Sequence, residues 1–364
     1  MTLGIIFWNS YALAKDVGKG YFDDAPLSLS PELSKSPMYT LVGITDWGKE
    51  ILHVYGITTI IALIVFLCVS IPILYVLFRF RATGEEQELP KQVKGNYILE
   101  IIWTVIPLIL LSLIAVPTWQ SIFRQDKAVK ANLQDKNALR IEVVGYQWWW
   151  KFVYTDFGVI TANELILPEN TPVVFSITSA DVIHSFYIPR FGGKLDAIPG
   201  KVNKLTYVTP ALKSNSGPEG DYYMGQCMEL CGLSHALMRF QAVIRSQEAF
   251  QDFIKSHNQP PVVTTASEKR GEEVFNLCIA CHTIAGTPSA NLPSEKIGPD
   301  LSNFGDRKTL AAVTRKNNMA NLKAWLKNPL RFKPGSLMPD LQLTDQQIDD
   351  VSAYIQFSTA KNKD

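Results

Sequence analysis

With 364 residues the chain is long enough for two or three domains, each with a sizeable core. A formal net charge of +1, with charged residues at 19%, gives no hint of nucleic-acid binding and excludes a strongly basic chain overall. The hydrophobic share of 47% is ordinary for a folded protein, yet much of it is gathered into two runs without charge.

Residues 1–50 read as a lead-in. Leu3 to Ala14 is apolar and ends in Ala12-Leu13-Ala14, the small-x-small form of a signal-peptidase site, so Lys15 is expected to begin the mature chain. Pro26, Pro31 and Pro37 make the stretch to Lys49 extended. From Ile51 to Phe78 no Asp, Glu, Lys or Arg occurs, and Ile101 to Phe123 repeats the pattern. A run of about 18 apolar residues already spans a bilayer, so residues 51–123 are predicted to form a transmembrane hairpin with spans near 51–78 and 99–123. Pro72, Pro107 and Pro117 are tolerable there, because neighbours in a membrane satisfy freed backbone groups. Basic residues on the connecting loop (Arg79, Arg81, Lys91, Lys94) are matched by those on the outer flanks (Lys49, Arg124, Lys127, Lys130), so counting them does not fix the orientation. Glu100, at the mouth of the second span, reads on position alone as an interfacial carboxylate.

Short alternating runs follow between Leu139 and Arg245, separated by turn residues such as Pro168, Gly192, Gly193, Gly200 and Gly220. They predict an antiparallel β-sandwich over residues 131–250. The segment Gly145-Tyr146-Gln147-Trp148-Trp149-Trp150 would lie on a strand. Three consecutive Trp cannot share one face of a strand, so at least one is expected to be exposed.

Cys227 to Met238 reads C-M-E-L-C-G-L-S-H-A-L-M. Two thiols, an imidazole and a thioether within twelve residues form a soft, copper-like donor set. Two Cys suggest bridging of a copper pair, which needs a second imidazole, and His184 between two strand-like runs is the natural donor. The spacing alone leaves two alternatives open: a short disulfide, or a tetrahedral zinc site with both His residues, which would leave Met238 unexplained.

Residues 251–264, with Pro260 and Pro261, read as a linker, and Thr265 and Glu268 have capping-box spacing for a helix that opens a domain over 265–364. Cys278-Ile279-Ala280-Cys281-His282 is the C-x-x-C-H pattern of covalent haem attachment, in which His282 is the proximal ligand. Met338, in an irregular loop after Lys333-Pro334-Gly335, is preferred as distal ligand over Met319, which lies in a helix-like stretch. Ile348, Val351 and Ile355 share one face of a final helix. His53 and His257 are assigned no ligand role.

These motifs together resemble subunit II of cytochrome c oxidase with a fused class I cytochrome c domain. The resemblance implies a multidomain chain: a two-helix transmembrane hairpin, a cupredoxin-like sandwich and an all-α cytochrome c domain. It implies a binuclear CuA centre bridged by Cys227 and Cys231, with His184, His235, Met238 and the Glu229 carbonyl as further ligands, and haem c on Cys278, Cys281, His282 and Met338. A Mg ion shared with subunit I beside Glu229, a proton path opening at Glu100 and electron input at Trp148 are also implied; Asp196 fits the family pattern as a loop carboxylate facing that subunit. The partners implied are subunits I and III, membrane lipid, and a c-type cytochrome or quinol-oxidising complex as donor. The place implied is the bacterial inner membrane, with both redox domains on the periplasmic face, because thioether attachment occurs outside the cytoplasm. A copper-containing subunit of a nitric oxide reductase, or a membrane-anchored copper and haem protein feeding no oxidase, are the alternatives.

Overall fold

The structure, a computed structural model, describes residues 39–81, 84, 92, 94–217, 219–257, 259–291 and 297–356. The proposed signal-peptidase site, the three prolines that follow it and Lys91 lie outside these residues.

Two long helices, α1 (Asp46–Arg79) and α2 (Tyr97–Gln134), carry the apolar runs. At 1.5 Å per residue they reach about 50 and about 57 Å, beyond the ~30 Å hydrocarbon core of a bilayer. Their mid-helix side chains are bare, as with Phe66 and Leu108, each 63% exposed, which is how a helix facing lipid reads. The helices are longer than the charge-free runs because capping extends them. Thr45 accepts from Gly48 N at the start of α1, and Asn96 accepts from Ile98 N and Leu99 N at the start of α2.

Both helices are fixed to the domain that follows. Ile44 N donates to Arg190 O at 2.9 Å, and the Thr45 hydroxyl donates to Phe191 O. Gly192 and Gly193 have φ of 76° and 67°, and a Cβ on Gly193 would lie 2.5 Å from the Trp47 ring, so glycine is required for that close approach. From α2, Asn132 donates to the Thr206 hydroxyl at 2.8 Å. Between the helices, Arg124 and Ser121 both donate to the Glu50 carboxylate.

The sandwich has two five-stranded sheets. One is ordered β3-β2-β1-β5-β8 and the other β4-β10-β9-β6-β7, with β1 Leu139–Tyr146, β2 Trp149–Tyr154, β3 Val159–Ala162, β4 Glu164–Pro168, β5 Pro172–Ser179, β6 His184–Tyr187, β7 Leu195–Ala197, β8 Asn203–Val208, β9 Asp221–Cys227 and β10 Arg239–Arg245. Most pairs are antiparallel as expected, but β1 runs parallel to β5 and β4 parallel to β10. Aromatic rings fill the interior: Phe186 stacks on Phe240 with centroids 4.9 Å apart, and the Trp150 ring meets both edge-on. Truncating one such ring to Ala costs about 3–5 kcal/mol.

Helix α3 (Gln247–His257) follows, so regular structure runs on through the first half of the segment expected to be a linker. Its amphipathic face explains this: Phe250 is buried against Tyr154, and His257 is buried with its Nε2 2.8 Å from Ile160 O. The last domain contains α4 (Ala266–Phe275), a short pair of strands β11 (Thr309–Leu310) and β12 (Arg315–Lys316), α5 (Met319–Lys327), α6 (Pro329–Phe332) and α7 (Asp345–Ile355). Capping boxes at Thr265 and Thr344 start α4 and α7, and Ile348, Val351 and Ile355 are buried as expected. These two helices cross so closely that a Cβ on Gly271 would lie 2.0 Å from Asp350 O.

All three tryptophans of the aromatic segment are buried, contrary to the expectation that one faces water. The outward face of β2 is covered by the last domain. Ala311, Ala312 and Val313 adopt left-handed φ of 54°, 59° and 62°, and Ala312 packs with Tyr146, Trp149 and Ala162.

Candidate redox sites

The first site forms at one end of the sandwich. Cys227 is the last residue of β9 and Met238 immediately precedes β10; Cys227 N donates to Met238 O at 3.0 Å, closing the mouth of the loop between them. Inside that loop, Cys231 Sγ lies 3.8 Å from Cys227 Sγ, 3.5 Å from His235 Nδ1 and 3.8 Å from Met238 Sδ. The Glu229 carbonyl is 3.2 Å from Cys227 Sγ, whereas its side chain belongs to an exposed residue. His184, fully buried at the start of β6, brings its Nδ1 to 3.8 Å from Cys227 Sγ. Space for this ring is left by Gly145, where a Cβ would lie 2.7 Å from it.

Every donor named from the sequence is therefore brought together here. Both cysteines are free thiols, far from the ~2.05 Å of a disulfide bond. Their mutual hydrogen bond pulls the Cys227 thiol down against burial, and the same bond together with burial pushes Cys231 up. A bound cation would hold both sulfurs as thiolates. Two thiolates, two imidazoles and a thioether in a buried pocket suit copper, and the thioether beside Cys231 is the donor a zinc site would not need.

Sequence reasoning missed Asp181. Its carboxylate lies 2.8 Å from His184 Nε2 and accepts from Gln147 N and Val182 N. A carboxylate on the far nitrogen orients a ligating imidazole and sets its tautomer. Burial works against the imidazolium of His184, but Asp181 and Cys227 outweigh it and raise the pKa. The only signal in the sequence is a carboxylate three residues before the histidine.

The second site is a cleft in the last domain, lined by Cys278, Cys281, His282 and Met338 and by apolar side chains such as Leu301 and Leu326. The turn after α4 is held by Cys281 N and His282 N, both donating to Cys278 O. His282 Nδ1 donates to Pro299 O at 2.7 Å, which leaves Nε2 as the free donor atom. Burial lowers the pKa of His282 and keeps it neutral, the form that binds a metal. A Cβ on Gly298 would lie 2.8 Å from the imidazole, so glycine is required beside it. Met338 is half-buried on the cleft wall, while Met319 stands 40% exposed at the start of α5 and does not line it. The two thiols, free imidazole, thioether and apolar walls fit a thioether-linked haem.

Between the sites stands Trp148. Its indole N–H donates to Cys231 O at 2.9 Å, Gln147 donates to the same carbonyl at 2.6 Å, and the ring forms part of the haem cleft wall. Glu100 is exposed in the first turn of α2, and Asp196 is exposed on β7, paired with the neighbour of His184.

Comparison with known proteins gives matches along nearly the whole chain. Residues 42–121 match the transmembrane domain of cytochrome c oxidase subunit II, residues 158–246 its periplasmic domain, and residues 268–358 cytochrome c. A cytochrome c oxidase subunit 2 of Bacillus sp. (strain PS3) is 40% identical over 283 residues, 76% of this chain and 78% of that protein. One from Alkalihalophilus pseudofirmus is 35% identical over 326 residues, 86% and 90% of the two chains. Among solved structures, the periplasmic domain of subunit II of cytochrome oxidase of Bradyrhizobium japonicum is 30% identical over 33% of this chain and 94% of its own, with a TM-score of 0.30.

Proposed function

The chain belongs to the cytochrome c oxidase subunit 2 family, and from that premise we propose that it takes electrons from a donor and delivers them to the haem of subunit I, where oxygen is reduced to water. The observation that supports this reading most strongly is the placing of Trp148 between Cys231 and the haem cleft. Two donor sets and an aromatic ring lie in series within one chain. When bound, the copper pair and the haem supply the one-electron redox changes.

The residues supply everything else. In this reading Cys227, Cys231, His184, His235, Met238 and the Glu229 carbonyl would hold a binuclear CuA centre, and Asp181 fixes the His184 ring. The rigid sandwich keeps these donors in place as charge changes, which favours fast transfer. Cys278 and Cys281 would hold haem c covalently, with His282 and Met338 as its ligands, and a His/Met pair would raise its potential into the range of a donor. Trp148 is the input to the copper site. The Glu229 carboxylate is left for a Mg ion shared with subunit I, and Glu100 for proton uptake into that subunit. The two apolar helices anchor the chain in a membrane; we place it in the bacterial inner membrane, with both redox domains on the periplasmic face, beside subunits I and III. The donor is a c-type cytochrome or a quinol-oxidising complex.

The test is an optical and electron paramagnetic resonance spectrum of the purified full chain, matured with haem and loaded with copper. The expected result is a haem c band together with a copper hyperfine pattern of one electron shared by two nuclei. A signal from a single copper nucleus, or none, overturns the binuclear assignment. Met338→Leu should lower the haem potential, and Met319→Leu should leave it unchanged.

A further inference from the structure

Separate segments of the last domain meet the sandwich. The left-handed turn at Ala311–Val313 seats Ala312 beside Tyr146 and Trp149. Lys308 pairs with Glu219 through its side chain, and its backbone N donates to Glu164 at 2.9 Å. The third contact is Lys333, only 4% exposed, whose Nζ donates to Trp148 O and, at 3.4 Å, faces Ala311 O. The residues after it follow the same surface. Ser234 donates to Pro334 O at 2.6 Å, and a Cβ on Gly335 would lie 2.8 Å from the Trp148 ring. This loop then runs on to Met338 in the haem cleft.

An amine is a costly occupant of such a place. A lysine ordinarily keeps its head in water, and burial here pushes the pKa down to about 7. An apolar side chain of the same length would fill the space without that penalty. What lysine adds is a set of directed N–H donors, aimed at one carbonyl in each domain. It joins the segment that carries Trp148 to the strained turn of the haem-binding domain.

We propose that Lys333 is a positioning residue for electron transfer: by tying the Trp148 and Ala311 carbonyls together it holds the Trp148 ring against the haem cleft, so that the two redox sites work as one fixed unit. The inference rests on the reading of the two sites given above. Lys333 itself touches no cofactor. The step it serves moves one electron, oxidising the haem iron and reducing the copper site, with no bond made or broken and no proton required.

The experiment uses the full chain in its assembled oxidase. Wild-type haem and copper spectra come first, and a missing signal there overturns the reading of the sites themselves, before any variant is made. A carbodiimide should then join Lys308 to Glu219 in the wild type, detected as a linked peptide by mass spectrometry, and the flash-induced haem-to-copper rate should not change with added glycerol. In Lys333→Met the linked peptide and the rate should both fall about tenfold or more, as expected when reacting groups lose their alignment. The haem and copper spectra, and direct reduction of copper by a small reductant, should stay as in the wild type. Lys333→Gln, which keeps an N–H donor, should recover part of both losses. Wild-type rate and linkage in Lys333→Met overturn the proposal, as does a wild type that fails to link or slows with viscosity. If Lys333→Met takes up no haem, the wild-type measurements and Lys333→Gln still decide the matter.

Discussion

The copper end and the haem end of this chain are built in opposite ways. At the copper end, five of the six donor groups come from a single loop of twelve residues, closed by a backbone hydrogen bond from Cys227 to Met238, and the donor atoms stand in near contact. The haem end has an orienting bond from His282 to Pro299, but around it lies a wide cleft whose walls include Trp148 and Trp149 of the other domain. The copper donors thus hold one another, whereas a haem in the cleft would itself complete the core around it. Metal and haem should contribute to stability very differently.

Blocking haem attachment with Cys278→Ala and Cys281→Ala should have the largest effect. At about 24 cal/mol per Å³, a void of the roughly 170 Å³ that the cleft encloses costs about 4 kcal/mol, a large share of the ~5–15 kcal/mol stability of a whole domain. Hydrogen exchange should show α4 and α7 unprotected in that variant, and a protected haem-free domain would erase the contrast. Cys227→Ser should abolish copper uptake by metal analysis yet leave β9 and β10 as protected as in the wild type. A sandwich that melts without copper would mean that its donors are organised by the metal after all.

Asp181→Asn should act on orientation and charge alone, lowering copper affinity about 10–100-fold while the haem band stays unchanged; a competition titration with a chelator reads it. The smallest effect concerns pH. Asp350 accepts from Arg270 and Ser267, and these contacts hold its carboxyl well below the usual range. A depressed carboxylate contributes stability above the pKa of the unfolded chain, about 4, and that contribution is lost as pH falls below it. The α4–α7 crossing should therefore loosen in acid before the sandwich does. Asp350→Asn should remove this difference and lower the melting temperature of the last domain by several degrees.

Much of this was legible in the sequence because the signals are local. The two charge-free runs, the capping box at Thr265, the C-x-x-C-H turn and the loop from Cys227 to Met238 each occupy neighbouring residues, and the structure brings every copper donor named from them into one cluster. What escaped depends on partners far along the chain. The burial of Trp148 and Trp149 is completed by Gly335 and Ala312, more than 160 positions later, Lys333 gives no sign in K-P-G of its bond to Trp148, and Ala311-Ala312-Val313 adopts a left-handed turn that none of the three favours on its own. The amphipathic face of α3 was present in the sequence, but two following prolines drew the boundary too early.

The contacts of Ile44, Thr45 and Trp47 with the sandwich bear on how the molecule can be taken apart. The chain touches its copper-bearing domain before it enters the membrane and again after leaving it, so the hairpin is gripped at both ends like a clasp. One proteolytic cut after α2 leaves the domain held by the residues that precede α1, and a soluble piece beginning near Lys130 would carry an open groove where Trp47 had lain. Release from the membrane thus takes two separations, one covalent and one along the Gly192–Gly193 edge.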